Sequence, residues 1–370
     1  MPEAVTLRDV AKLAGVSIGT ASQALNNRPH VLPETRKRVL EACQALGYSP
    51  RKSNAAQSRP RVIGMLTKHD EGSPPPALNF FFSHVQAGVE QACRANHINL
   101  MVASVPVDRS NHPISWPRLV EEKYIDGVLL VGLSLTKEEL SELQNKLGRP
   151  VVLVDSYVAG VMLDSVLIDN IGGAMQAVTH LIDLGHRHIG LIGSNPASPP
   201  DVLERREGYL RALAARGITQ TFIEDSAMLR EAGQAALPRL LERAPLVTAV
   251  FVTNDDTAIG VLRAAQAMRL RVPEDLAIVG FDDIDLAREI HPTLTTVRVH
   301  KTWLGKIGVQ CLIQRLQEPD RPPVVVRLAT ELVERETTRE VLSNMPLPSA
   351  IDCVEPRVVS LPSDPQAFTE

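Results

Sequence analysis

His180, His186 and His188 fall close together in this 370-residue chain, and imidazoles so grouped make a metal site conceivable. Other catalytic or cofactor chemistry finds little support. The sequence lacks a GxGxxG turn, a P-loop and a GxSxG elbow, and Ile171-Gly172-Gly173 is too short to indicate a nucleotide site. No Ser, Cys or Thr is spaced with a His and a carboxylate as a nucleophile–base set. The four cysteines, Cys43, Cys93, Cys311 and Cys353, form no CxxC pair and read as isolated thiols of a reducing cytosol. The expectation is a protein without cofactor or metal that is not an enzyme.

Phosphate chemistry is better supported. Residues 1–61 hold ten Lys/Arg (Arg8, Lys12, Arg28, Arg36, Lys37, Arg38, Arg51, Lys52, Arg59, Arg61) against four Asp/Glu (Glu3, Asp9, Glu34, Glu41), a charge of +6. The other 309 residues hold 29 against 39, a charge of −10. A basic head on an acidic body points to a polyanion met by the head alone.

The elements that would carry those cations are legible. Thr6-Leu7-Arg8-Asp9 has capping-box form and opens a short helix with Val10, Leu13 and Ala14 on one face. Gly15 supplies a left-handed stop, Val16 packs under the turn, and Ser17 caps a second helix, IGTASQALNN. Pro33 starts a third helix that ends near Gly47-Tyr48, with Val39, Leu40, Cys43 and Leu46 closing a small core. Two short helices about a tight Gly turn make a helix-turn-helix whose second helix fits the major groove.

The run TLRDVAKLAGVSIGTASQALNNRPHVLPETRKRVLEACQALGYSP resembles, nearly residue for residue, the head of the lactose-repressor-type (LacI/GalR) regulators. By position, the resemblance places Ser17, Ile18, Gly19, Thr20, Ser22 and Gln23 at the groove-facing helix. It places Leu7, Asn26, His30, Thr35 and Tyr48 near the DNA backbone, with Arg51 following. Gln23 suits a base edge and Ile18 a thymine methyl, whereas Gly19 offers no side chain. Residues 49–61, SPRKSNAAQSRPR, form a basic tether where relatives have a hinge helix with a minor-groove leucine. Gln57 stands at that leucine's place, and Arg51, Lys52, Arg59 and Arg61 suit phosphate contact. A hinge helix and a plain linker are both open for this segment.

Beyond Arg61 short β-rich runs alternate with helical ones. They are RVIGMLT, a helix over 80–96, INLMVASV, a helix over 115–123, GVLLVG, a helix over 136–147 and VVLVD. A second series follows: VLID, 170–185, HIGLIG, 202–216, AVFVTN, 255–269 and LAIVGFDD. Such alternation predicts parallel sheets covered by helices, and the two series predict two α/β lobes with a ligand cleft at the strand carboxyl ends. The resemblance extends to about residue 338 through RREGYLRAL, VTNDDTAIG, RVPEDLAIVGFDD and HPTLTTVRV, and implies a type I periplasmic-binding-protein-like core. Asn79–Phe82, NFFF, is similar to the family's NPFF. By position Phe81, Phe82, Asp155, Arg205, Asn254 and Asp282 match residues lining the effector cleft, while Val299 replaces a frequent polar residue and Asp201 stands where some relatives have Ser. Carboxylates, an amide and a guanidinium suit vicinal hydroxyls, and aromatic faces suit sugar C–H surfaces. In the same family LGHRHIG is an ordinary helix-to-strand join, which weakens the metal reading of the three histidines.

The fold class expected is therefore a small all-α helix-turn-helix head (1–48), a basic linker (49–61), an α/β two-lobed core (62–340) and a Pro-rich, disordered tail (341–370). The function expected is a cytoplasmic repressor, nucleoid-associated when bound, that grips a pseudo-palindromic double-stranded operator as a homodimer and answers to a sugar-like effector. The alternatives are a purine-type corepressor-dependent regulator and a solute-binding protein. The absence of a secretory signal and the basic head weigh against the latter. No apolar run reaches membrane-spanning length, so no membrane partner is expected.

Overall fold

The computed structural model describes residues 5–25, 31–46, 48, 61–70, 80–108, 110–122, 124–158 and 160–341. It divides into two compact units. One holds the N-terminal helices and Ile313–Arg321; the other runs from Arg61 to Leu312 and resumes at Pro322.

In the first unit α1 (Leu7–Ala14), α2 (Ile18–Leu25) and α3 (Pro33–Leu46) close over Val10, Ala11, Ala14, Ala21, Ala24, Val31, Val39, Ala42 and Cys43. Asp9 Oδ2 accepts from Thr6 N at 2.9 Å and from Thr6 Oγ1 at 2.6 Å. The hydrogen bonds from Thr6 hold the Asp9 carboxyl below its usual range. Gly15 takes the left-handed conformation (φ 64°), and Ser17 Oγ accepts from Thr20 N at 3.0 Å to cap α2. Two expected core residues prove exposed, Leu13 (55%) and Leu40 (51%). Each lies about 110° around its helix from the centre of the buried stripe, so neither reaches the shared core.

The second unit contains two six-stranded sheets. The first has β1 (Val62–Asp70), β2 (Asn99–Val107), β3 (Gly127–Val131), β5 (Val151–Val154), β7 (Ser165–Ile168) and β13 (Val325–Leu328). They run in the order β13-β7-β5-β3-β1-β2, and all pairings are parallel. The second has β8 (Ile189–Ser194), β9 (Phe222–Asp225), β10 (Ala249–Val252), β11 (Ala277–Asp282), β12 (Thr295–Arg298) and β14 (Glu331–Val333). Its order is β14-β12-β11-β10-β8-β9, parallel except for β14. A short ribbon pairs β4 (Ser134–Leu135) with β6 (Tyr157–Val158) beside the first sheet. The chain passes between the lobes three times, after Ile168, after Arg298 and after Leu328.

The central strands are apolar on both faces, as helix-covered parallel strands require. Every residue of β3, β5, β10 and β11 is buried. In the first lobe α5 (Lys137–Leu147) buries Leu140, Leu143 and Leu147 against Leu130, Leu153 and Val128. In the second lobe α8 (Arg230–Arg243) and α9 (Asp255–Ala267) pack with Val250, Val252 and Ile278, while α6 (Asn170–Asp183) and α7 (Pro200–Ala215) pair with each other. The expected helix at 115–123 is only a 3₁₀ turn, Arg118–Glu121, and Pro117 disfavours helical backbone at Trp116 before it.

Paired glycines permit a close helix crossing beside the first lobe. A Cβ on Gly88 of α4 (Phe80–Ala95) would stand 2.0 Å from Thr302 O, and one on Gly305 of α11 (Lys301–Gln317) would stand 2.2 Å from Val85 O. Only hydrogen at both positions lets these helices cross so closely.

Candidate effector cleft and DNA-reading surface

On the head, Ser17, Ile18, Gly19 and Gln23 are exposed along α2, with Thr20 and Ser22 half-buried beside them. The opposite side of α2, Ala21 and Ala24, is in the core. A polar, accessible stripe backed by alanines is what groove entry needs. Thr35 is half-buried, and Leu7 and Tyr48 lean on the core. Asn26, His30 and Arg51, like most of the tether, lie outside the described residues.

In the core three of the predicted cleft residues lie at strand carboxyl ends, while Phe81 and Phe82 are on α4 and Arg205 is on α7. Asp155 follows β5, Asp282 ends β11, and Asn254 lies just past β10. Asp155 (φ 48°) and Asp282 (φ 110°) both adopt positive φ, a strained geometry for residues with a Cβ and one concentrated at functional sites. The turn at Asp155 is pinned by Ser156, whose Oγ accepts from Leu133 N at 2.9 Å and donates to Leu130 O at 3.1 Å.

Arg205, on α7, is only 2% exposed. Its Nε donates to Asn170 Oδ1 at 2.9 Å, its Nη1 donates to Thr253 O at 2.6 Å, and Nη1 lies 3.3 Å from Asp282 Oδ1. The guanidinium carbon stands 4.0 Å from the Phe281 ring centroid. Asn254 has a structural duty as well: its Oδ1 caps α9, accepting from Thr257 N at 3.0 Å. Phe81 and Phe82 meet edge-to-face at 5.3 Å, with Lys68 Nζ 5.5 Å from the Phe82 ring centroid. Phe82 fits because Gly132 has no Cβ, which would stand 2.7 Å from the ring.

Buried polar atoms without hydrogen-bond partners gather at these strand ends. They include Asp155 Oδ1, Thr67 Oγ1 near the end of β1 and Ser194 Oγ at the end of β8. Orphans of this kind cost free energy unless something outside the chain satisfies them. Burial, then the charge of Asp201, raises the Asp155 carboxyl to about 7. Asp282 is also raised by burial, opposed by Arg205 and Lys301.

Several residues at the cleft escaped sequence reasoning. Tyr157 Oη donates to Glu204 Oε2 at 3.3 Å, and Asn170 Nδ2 donates to the same oxygen at 3.0 Å, joining the two lobes. Lys301, on α11, is buried and donates to Asp282 O (2.5 Å) and Asp283 O (3.0 Å). Asp255 is fully buried, accepting from Ile284 N at 2.9 Å and from Thr296 Oγ1 at 2.5 Å. It thereby holds the turn that follows Asp282. VTNDD and FDDID mark these acids, but nothing local distinguishes the residue facing a cleft from the one facing its scaffold.

The three histidines take unrelated partners. His180 Nε2 lies 3.1 Å from Thr338 Oγ1, His186 Nδ1 lies 2.9 Å from Thr248 Oγ1, and His188 packs on Phe222. Burial depresses His186 to about 4. Among the described residues no three His, Cys, Asp or Glu side chains are grouped to hold a metal ion.

Residues 6–51 match the bacterial regulatory proteins of the lacI family, and residues 178–338 match a periplasmic binding protein-like domain. The chain is 33% identical over 339 residues to the ribose operon repressor of Haemophilus influenzae, covering 90% of this chain and 98% of the relative. The chain belongs to the LacI family. It is also 33% identical to the transcriptional repressor CytR of Escherichia coli over 91% of this chain and 97% of that one. Among solved structures, the regulator CelR in complex with cellobiose superposes with a TM-score of 0.67 at 31% identity, covering 90% of this chain and 100% of that one. The lac repressor dimer bound to operator and an anti-inducer gives 0.64 at 25%, covering 91% and 100%. This LacI-family chain is a DNA-binding transcriptional repressor, and the relatives it matches are regulators rather than enzymes. No helix among its described residues is long and apolar enough to cross a membrane.

Proposed function

We propose that this repressor grips a pseudo-palindromic operator as a homodimer in the cytoplasm, and that a small polyhydroxylated effector, a sugar or sugar derivative, sets its operator affinity from the core cleft. The observation that carries the effector reading is the pair Asp155 and Asp282. They come from different lobes, both are buried at positive φ, and Asp155 keeps an oxygen without a hydrogen bond. Vicinal hydroxyls donate to such carboxylates while Asn254 and Arg205 supply donors, and Phe81 and Phe82 offer C–H-stacking faces. Val299, buried, gives the cleft an apolar edge. Solved relatives in complex with cellobiose and ribose support this class of ligand.

In the head, Ile18, Gly19, Ser22 and Gln23 face the bases, with Ser17 and Thr20 at the helix start. Leu7, Asn26, His30, Thr35, Tyr48 and Arg51 serve the backbone. A ligand that closes the lobes on each other changes the spacing of the two heads, which links cleft to operator.

The test is a melting-temperature screen of the full chain with sugars, sugar derivatives and purines. A ligand at about a hundred times its Kd adds about 2.7 kcal/mol, a rise of roughly 5 °C for a core of this size. A sugar-class ligand producing that rise is the expected result. A rise with purines and none with any polyol would overturn the reading.

A further inference from the structure

Asp155 and Asp282 end adjacent lobes' strands, and Asp201 and Glu204 sit one turn apart on α7. The cations among the same groups are Lys68, Arg205, Lys301 and Arg327; Lys301 is engaged by the Asp282 and Asp283 carbonyls, and Arg327 pairs with Glu204 at 3.5 Å. Arg205 is already engaged by Asn170, Thr253 and Asp282, and Lys68 stands over the Phe82 ring.

The lobe-to-lobe contact fixes which acids face each other. Tyr157, two residues after Asp155, donates to Glu204, one helical turn after Asp201. Asp155 and Asp201 therefore flank this contact across the lobe boundary, and Asp201 is the largest charge acting to raise the Asp155 carboxyl. Asp155 is 8% exposed, and its Oδ1 accepts no hydrogen bond. The charge of half-buried Asp201 makes an ionised, buried Asp155 costly. A ligand cation placed between them would relieve that cost and fill the orphaned acceptor.

We infer that Asp155 and Asp201 form a subsite for the ammonium group of an amine-bearing polyol, such as an amino sugar, and that the cleft rejects sugar acids and sugar phosphates. This rests on reading the cleft as a polyol site. The hydroxyls of such a ligand engage Asp282 and Asn254, and its ammonium donates to Asp155 Oδ1 and to Asp201.

The test is calorimetric titration of the full chain at pH 7 with matched hexoses, each as the parent sugar, the 2-amino sugar and the uronate. The amino member should bind at least tenfold tighter than its parent, with the uronate weakest. Asp201→Ser and the isosteric Asp201→Asn should each bring the amino-to-parent ratio towards one; either variant suffices if the other fails to fold. A uronate or parent sugar binding as tightly as the amino sugar overturns this inference and leaves the polyol reading standing. An amino preference unchanged by both variants overturns the assignment to Asp201. Failure of every sugar to bind overturns both readings.

Discussion

Arg205 and Asp282 meet at 3.3 Å in the second lobe, each almost wholly out of solvent. The same guanidinium also ties α7 to Asn170 at the start of α6 and to the backbone after β10. It is a ligand candidate and a keystone of the second lobe at once. Arg205→Ala would strand Asn170 Oδ1, Thr253 O and a buried carboxylate. The expected loss is about 3–5 kcal/mol in urea unfolding, the usual cost of breaking a buried ion pair. Arg205→Lys should recover little, since one ammonium cannot reproduce the forked contacts.

Asp155 ties stability to pH. Its carboxyl is raised from 3.8 to about 7, so between those values the folded chain holds a proton that the unfolded chain releases. Stability of the ligand-free protein therefore falls as pH rises through that window. Asp155→Asn, which mimics the neutral acid, should melt higher than the parent, by a margin that grows from pH 5 to pH 7 and then levels. Melting curves across this range check both the sign and the window.

Gln23 is exposed on α2 and carries an amide suited to adenine N6/N7, whereas an arginine pairs with guanine O6/N7. Gln23→Arg should shift the preferred base at one position of each half-site from adenine to guanine by about 1–3 kcal/mol. Selection from random duplexes with both proteins reads this directly, and identical preferences would remove Gln23 from the reading surface.

The charge split at residue 61 predicts steep salt dependence. Each neutralised phosphate contributes a slope of about −0.9 in log K against log salt. Arg8→Gln, Lys37→Gln or Arg51→Gln should flatten that slope by roughly one for each residue that meets a phosphate, leaving base preference intact. Filter-binding isotherms at several salt concentrations measure it.

Local signals made much of this legible. Thr6, Gly15, Ser17 and Pro33 punctuate the head because caps and left-handed stops depend on single residue types. The buried strands read as apolar runs because helices cover both faces. Edge and late elements escaped: β9, β13 and β14 have mixed burial and no clean period. Leu13 and Leu40 were misplaced because an eight-residue helix and a fourteen-residue one expose their flanks when only two neighbours cover them. At the cleft, Asp155, Arg205 and Asp282 stood out by motif. Tyr157, Asn170, Glu204 and Lys301 did not, because their roles come from lobe-to-lobe contacts between residues far apart in sequence.

Control of the head by the proposed effector site is tested most directly by fluorescence anisotropy of the full chain on an operator selected from random duplexes, with and without the sugar-class ligand that raises the melting temperature. Operator Kd should change by about 5- to 150-fold at saturating ligand, the usual span of allosteric coupling. Asp282→Asn, which weakens ligand binding, should demand correspondingly more ligand for the same change. An operator affinity that does not move while the ligand is fully bound would contradict that control.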